Sequence, residues 1–129
     1  MNIWVFSDPH FGDSQSLRFR GFPSEKEMDK TILNNCRRLI KKEDLTYILG
    51  DLGKGEAALK KCASIAGSKR IVLGNHDEKP LELYKKYFPH TQFRSWFRMS
   101  GVILSHFPLH PQELEYEPLA EGHSPARFN

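Results

Sequence analysis

The sequence predicts an α/β domain organised around a parallel sheet, and three observations point to it. Short apolar runs alternate with longer segments of helical period. Strand, helix, strand, helix, strand in that order gives parallel pairing with right-handed crossovers. Each apolar run also stops at a cluster of polar residues, and ligands in such sheets bind beyond the carboxyl ends of the strands. With 129 residues, 39% hydrophobic and 27% charged, the chain is a globular mixture whose residues 1–129 suit one domain.

Residues 2–6 are a short apolar run ended by Ser7-Asp8-Pro9, which reads as a buried strand. Residues 13–23 form a polar loop containing Arg18 and Arg20. Ser24-Glu25-Lys26-Glu27 matches a capping box, with Ser24 capping and Glu27 reaching back. The helix after it places Met28, Ile32, Cys36, Leu39 and Ile40 on one face, with Arg37, Arg38, Lys41 and Lys42 toward its basic end. Residues 45–49 are a second strand, closed by Gly50-Asp51, and residues 56–66 are helical with Gly67 as the stop. A third strand, residues 70–73, ends in Gly74-Asn75-His76-Asp77. A short helix over residues 80–87 follows, with Pro80 at its start. Residues 92–99 and 102–105 read as two strands joined around Ser100-Gly101, with Phe93, Trp96 and Phe97 packing from the first. From Pro108 onward Pro111, Pro118 and Pro125 break the pattern into an irregular tail.

Several function classes are excluded by the same reading. The longest apolar runs, residues 3–6 and 101–104, are far too short to span a bilayer, and residues 1–6 lack the basic lead of a signal peptide. No membrane partner is expected. Cys36 and Cys62 lie in helix-like segments without a Cys-x-x-Cys spacing, which suits reduced thiols and a cytoplasmic location. A formal charge of +3 fits an anionic substrate without marking a nucleic-acid binder.

The chemistry lies at four strand ends: Asp8-Pro9-His10, Gly50-Asp51, Gly74-Asn75-His76-Asp77 and Ser105-His106. Each is ambiguous alone, since Asp-x-His and Gly-Asp are common in turns and His106 reads equally as a hydrogen-bonded core histidine. Together they offer imidazoles, carboxylates and an amide oxygen at corresponding strand ends. That is the mixed nitrogen and oxygen ligation of zinc, manganese or iron. A carboxylate between the other ligands can bridge two ions about 3.5–4 Å apart, a pair able to generate hydroxide and clamp a phosphoryl oxygen. Gly50 and Gly74 keep the strand ends open enough for close approach.

These residues, with Ser105-His106-Phe107-Pro108-Leu109, resemble the successive motifs of the calcineurin-like metallophosphoesterases, in the same order and over residues 3 to 109 at least. The likeness is greatest to the small single-domain members of bacteria and phages. It implies a β-sandwich flanked by helices and hydrolysis of a phosphate mono- or diester with two divalent ions: manganese, iron, nickel or zinc. Asp8 and His10 are then ligands of the first metal, Asp51 the bridge, and Asn75 and His106 ligands of the second. His76 becomes the general acid or phosphoryl-charge stabiliser and Asp77 orients its ring. The resemblance further implies in-line attack by a metal-bound hydroxide without a covalent intermediate. Arg18 and Arg20 are candidates to meet a substrate phosphate, with solvated loop charges as the equal alternative. The substrate is a phosphorylated small molecule, a nucleotide or a nucleic acid.

The family ends its site with Gly-His-x-His, which does not stand in residues 1–129. Gly122-His123-Ser124-Pro125 supplies the first histidine with Pro125 in place of the second. Alternatively, Ala126-Arg127-Phe128-Asn129 resembles the strand leading into that motif, and the domain is then short of its last strands. Either way the first metal keeps Asp8, His10 and Asp51, and the second keeps Asp51, Asn75 and His106, with His123 or His110 as further candidates. Three protein ligands plus water make an ordinary open site. The rival to an enzyme is a catalytically impaired metal-binding or interaction module, and a basic nucleic-acid binder is a third reading, recognisable by salt-sensitive binding.

Overall fold

A computed structural model describes residues 1–109; the expectations on His110, on Gly122-His123-Ser124-Pro125 and on residues 126–129 lie outside the described residues. The elements run β1 (Ile3–Phe6), a 3-10 turn (Ser14–Ser16), α1 (Leu17–Arg20), α2 (Glu25–Leu39), β2 (Leu45–Ile48), α3 (Gly55–Ala63), β3 (Ser68–Ile71), α4 (Leu81–Tyr87), β4 (Gln92–Phe93), β5 (Trp96–Met99) and β6 (Val102–Ser105). Strands β1 to β4 form one parallel sheet in sequence order, with Ile3 opposite Leu45 and Leu45 opposite Ser68. Strands β5 and β6 form a separate antiparallel pair. The fold is therefore mixed α/β, with a parallel sheet and helices.

Alternation along the strands sorts the core onto two faces. Ile48 and Ile71 join Trp4, Phe6, Leu33, Leu59, Cys62, Tyr84 and Phe88 in the larger cluster, under the helices. Their chain neighbours Tyr47 and Val72 turn the other way and pack with Phe97 and Leu104 of the hairpin. The Tyr47 and Phe97 rings meet edge to face at 5.4 Å. Replacing Ile48, which is fully buried, by Ala should cost about 2–5 kcal/mol. The hairpin covers β2 and β3 but leaves Ile3 and Val5 of β1 exposed.

Local chemistry accounts for the helix ends. Ser24 Oγ accepts the Glu27 amide at 3.2 Å, and acidic Glu25 and Glu27 face the positive end of α2 while Arg37 and Arg38 face the negative end. Only half of the capping box forms, since among the described residues the Glu27 carboxylate makes no return bond. The buried stripe of α2 holds Met28, Ile32, Cys36 and Ile40 as expected and adds Asp29 and Leu33, whereas Leu39 is exposed. The helix ends at Leu39, and the extended backbone of Ile40 carries that side chain inward on its own.

Two segments depart from the sequence expectation. Residues 13–23 contain the 3-10 turn and α1 rather than loop alone. Residues 92–99 are two strands, because Phe93 packs beside Tyr84 and Phe88 on the helical face while Phe97 packs on Tyr47 on the other. In one continuous strand residues four apart share a face, so the chain must break at Arg94-Ser95 to serve both. The expected hairpin at Ser100-Gly101 forms with both residues at positive φ, 48° and 80°, the signature of a primed two-residue turn. Among the described residues no helix is long and apolar enough to cross a membrane.

Candidate active site

Beyond the carboxyl ends of β1 and β2 the two loops stay zipped together. Asp8 donates its amide to Gly50 (3.0 Å), His10 to Asp51 (3.1 Å) and Phe11 to Leu52 (3.0 Å), and the Lys54 amide returns to Phe11 (2.8 Å). To follow this path Asp8, His10 and Asp51 adopt φ of 57°, 49° and 53°, the left-handed region that costs non-glycine residues on the order of 1–2 kcal/mol each. Apart from Ser100 in the hairpin they are the only non-glycine residues there among those described. Strain is thus concentrated on three of the side chains singled out by the sequence.

Asp51 is the centre. It is 4% exposed, and its Oδ1 accepts the His76 amide at 3.0 Å while its Oδ2 meets His76 Nδ1 at 2.9 Å. Burial pushes its carboxyl pKa up, but those two bonds and the His106 and His76 charges outweigh it and hold the group below the ordinary range. Reciprocally, the bond to Asp51 raises His76 above the ordinary imidazole value.

Two further imidazoles approach the same oxygen, each anchored through its other nitrogen. His106 Nδ1 lies 2.8 Å from the Leu49 carbonyl, an acceptor only, so Nδ1 donates and Nε2 is the nitrogen left to face the site. That Nε2 stands 3.7 Å from Asp51 Oδ2 and 2.8 Å from Asn75 Oδ1. His10 Nδ1 is likewise held by Asp13 Oδ2 at 3.2 Å, which turns its Nε2 toward Asp51 Oδ2 (3.5 Å) and Asp8 Oδ1 (3.8 Å). Two imidazole nitrogens and two carboxylate oxygens thus converge within 3.8 Å, a donor set that fits a cation. Asp8, Asp51 and His106 each offer a ligand atom within 4.8 Å of one another.

The glycines make this approach sterically possible. A Cβ at Gly50 would stand 2.6 Å from His106 Nδ1 and 2.9 Å from Gly74 Cα, and Gly50 also needs φ of 98°. A Cβ at Gly74 would collide with Asp51 Oδ1 and stand 2.9 Å from His106 Cε1.

Some side chains occupy places other than the expected ones. Asp77 is not on the His76 ring. Its carboxylate accepts the amides of Asp51 (2.7 Å), Leu52 (2.9 Å) and Gly74 (2.7 Å), so it braces two loops, while Asp51 takes the ring. Arg20 lines the pocket beside the cluster, and it donates to the carbonyls of Asp8 (2.6 Å) and Pro9 (2.9 Å), fastening the first loop. Arg18 is exposed on α1 and stands apart from the residues that wall the pocket beside the cluster.

Two residues, Asp13 and Asp29, carry no role in the sequence reading, and a third, Lys54, reads there only as a solvated charge. Asp13 orients His10 and caps the 3-10 turn through the Gln15 amide (3.0 Å); its position three residues after His10 was the available signal. Its pKa lies below the ordinary value, burial being outweighed by that amide, Ser16, His10 and Lys54. Asp29, a charge within the apolar stripe of α2, receives the Gly12 amide on both oxygens and pairs with Lys61 at 2.7 Å. Lys54 lines a cavity of about 360 Å3 shared with Asp8, His10, Asp13, Phe19 and His76.

A family model described as calcineurin-like phosphoesterase matches residues 1–123. The gene 66 protein of Mycobacterium phage L5 is 29% identical over 83% of this chain and 63% of its own length. That of Mycobacterium phage D29 is 30% identical over 78% of this chain and 48% of its own length. An uncharacterised protein of Methanocaldococcus jannaschii is 30% identical over 59% of this chain and 47% of its own. The chain thus spans about half to under two thirds of these curated relatives. The crystal structure of a protein of unknown function from Aquifex aeolicus superposes with a TM-score of 0.64 at 26% identity, over 92% of this chain and 68% of that one.

Proposed function

The chain belongs to the calcineurin-like phosphoesterase family, and from that premise we propose that it hydrolyses a phosphate mono- or diester with two divalent cations sharing Asp51. The observation that carries this reading is the pair of anchored imidazoles, His10 and His106, which aim their Nε2 atoms at one buried carboxylate. Asp8 and His10 would hold one cation, Asn75 and His106 the other. Manganese, iron, nickel and zinc all suit such donors. When bound, the pair supplies Lewis-acid charge to phosphoryl oxygens and eases ionisation of water.

The chain's own groups supply the rest. His76 is exposed at the mouth of the site, and the bond to Asp51 favours its protonated form, which suits it to hold phosphoryl charge or to protonate the leaving oxygen. Asp77 and Arg20 keep the ligand loops in register from behind, which limits the reorganisation needed on binding. The substrate belongs among phosphorylated small molecules, nucleotides or nucleic acids. A cytoplasmic setting is part of the same proposal, supported by the free thiols Cys36 and Cys62.

The test is turnover of bis(p-nitrophenyl) phosphate and p-nitrophenyl phosphate by the full chain with added manganese, beside metal content by mass spectrometry. The expected result is metal uptake with hydrolysis of at least one ester. Metal without turnover assigns the chain to the metal-binding module, and no uptake overturns the metal-dependent reading altogether.

A further inference from the structure

Beside the candidate metal cluster, the cavity of about 360 Å3 is within the range of small-molecule sites. Its lining joins Asp8, His10, Asp13 and His76 with Gln15, Ser16, Phe19, Lys54 and Arg20, the last already bonded to the Asp8 and Pro9 carbonyls. Phe19 is 89% exposed, the most exposed of the large hydrophobic side chains among the described residues. An aromatic ring left in water gains most from a flat partner, since each face of an aromatic group can stack.

The ring sits on an anchored support. Asp13 caps the turn before α1 while also holding His10, Gly21 ends α1 at φ of 71°, and Arg20 bonds back to the Asp8 and Pro9 carbonyls. The element that presents Phe19 is therefore tied at both ends to the loop that presents Asp8 and His10. Across the cavity, among the described residues, the Lys54 ammonium makes no hydrogen bond, and its charge is felt by both Asp13 and His76. The lining thus combines an aromatic face, a cation and the side-chain amide of Gln15, which can serve heteroatoms on a ring edge.

We propose that this cavity is a nucleoside subsite: the base of a nucleoside monophosphate or its ester stacks on Phe19, Lys54 meets the phosphate charge, and the phosphoryl group faces His76 and Asp51. This rests on the phosphoesterase reading and deepens it by naming the substrate class. An aromatic phosphate without ring heteroatoms would use Phe19 and Lys54 but leave the Gln15 amide without a partner. A sugar phosphate would leave the ring bare.

The test is calorimetric binding of AMP, ribose 5-phosphate and phenyl phosphate to the manganese-loaded full chain and to its Phe19→Ala variant. AMP should bind about tenfold more tightly than ribose 5-phosphate, the scale of one base stacked on one aromatic side chain. Phe19→Ala, a surface change that should leave the fold intact, should remove that preference and leave ribose 5-phosphate affinity unchanged. Lys54→Gln should weaken AMP and ribose 5-phosphate by the same factor. Equal binding of AMP and ribose 5-phosphate, or of AMP and phenyl phosphate, overturns the nucleoside assignment, as does a preference that survives Phe19→Ala. AMP preference in a protein that hydrolyses no ester would sustain the subsite while sinking the phosphoesterase reading. Ester hydrolysis without AMP preference would do the reverse.

Discussion

Asp44 and Asp51 lie at opposite ends of β2, are buried to the same degree, and do opposite things with their charge. At the amino end Asp44 is surrounded by donors whose protons are fixed: the Asn2 amide at 2.8 Å, the Lys41 amide at 2.9 Å and the Trp4 indole at 3.0 Å. Those bonds, led by the two amides, hold its pKa down to about 2 against the effect of burial. At the carboxyl end Asp51 is surrounded by His10, His76 and His106, whose own nitrogens are potential ligands. A buried carboxylate matched by fixed N–H donors is a clamp. One ringed by imidazoles, on strained backbone, is a place for a cation. Asp77 shows that the difference lies in partners and not in position, for it stands at the carboxyl edge and is a clamp on three amides.

The largest effect that tests this contrast is at Asp51. Asp51→Asn should lower manganese affinity and ester hydrolysis by more than about a hundredfold, because removing a charged ligand exceeds the 10–100-fold typical of outer partners. The circular dichroism spectrum should not change, and unchanged turnover would sink the shared-cation mechanism.

Gly74→Ala comes next. Its Cβ would press on Asp51 and His106, and the overpacking should cost about 1–3 kcal/mol, visible as a lower urea midpoint with an unaltered slope. A variant as stable as the parent would show the strand end to be looser than described.

Asp13→Asn should be milder. The amide oxygen can still cap the turn, but the charge on His10 Nδ1 is gone, so manganese affinity should fall about tenfold while stability barely moves. Equal losses in both quantities would make Asp13 a clamp like Asp44.

The smallest effect is expected at Asp44 and is read by acid titration. Its folded pKa of about 2 lies below the unfolded value near 4, so its contribution is complete above about pH 4 and is lost as pH falls toward 2. Denaturant midpoints of the parent should therefore slope downward across that window. Asp44→Asn should start lower at neutral pH and slope less, and identical slopes would show that its bonds carry no linked proton.

Much of the fold was legible because it depends on near-neighbour patterns. The apolar run of residues 45–49 announced β2, Ser24 announced α2, and Ser100-Gly101 announced the hairpin, each through a preference confined to a few residues. Residues 92–99 were misjudged because Phe93 and Phe97 carry no local sign of belonging to opposite faces; only the packing of Tyr84 and Tyr47 separates them. The same holds for Leu39, displaced from the buried stripe by where α2 stops.

For the candidate site, residue types and their order along the chain were enough to single out Asp8, His10, Asp51, Asn75 and His76, because strands of a parallel sheet deliver their ends to one edge, while His106 arrives from the end of the antiparallel hairpin. What required the tertiary structure was the assignment of partners. Asp77 goes to three amides, Arg20 to two carbonyls, and Asp13, Lys54 and Phe19 enter beside the cluster. Hydrogen bonds between residues 25 or 57 apart leave no periodic trace in a chain, since periodicity records which face a residue occupies and not which atom it meets.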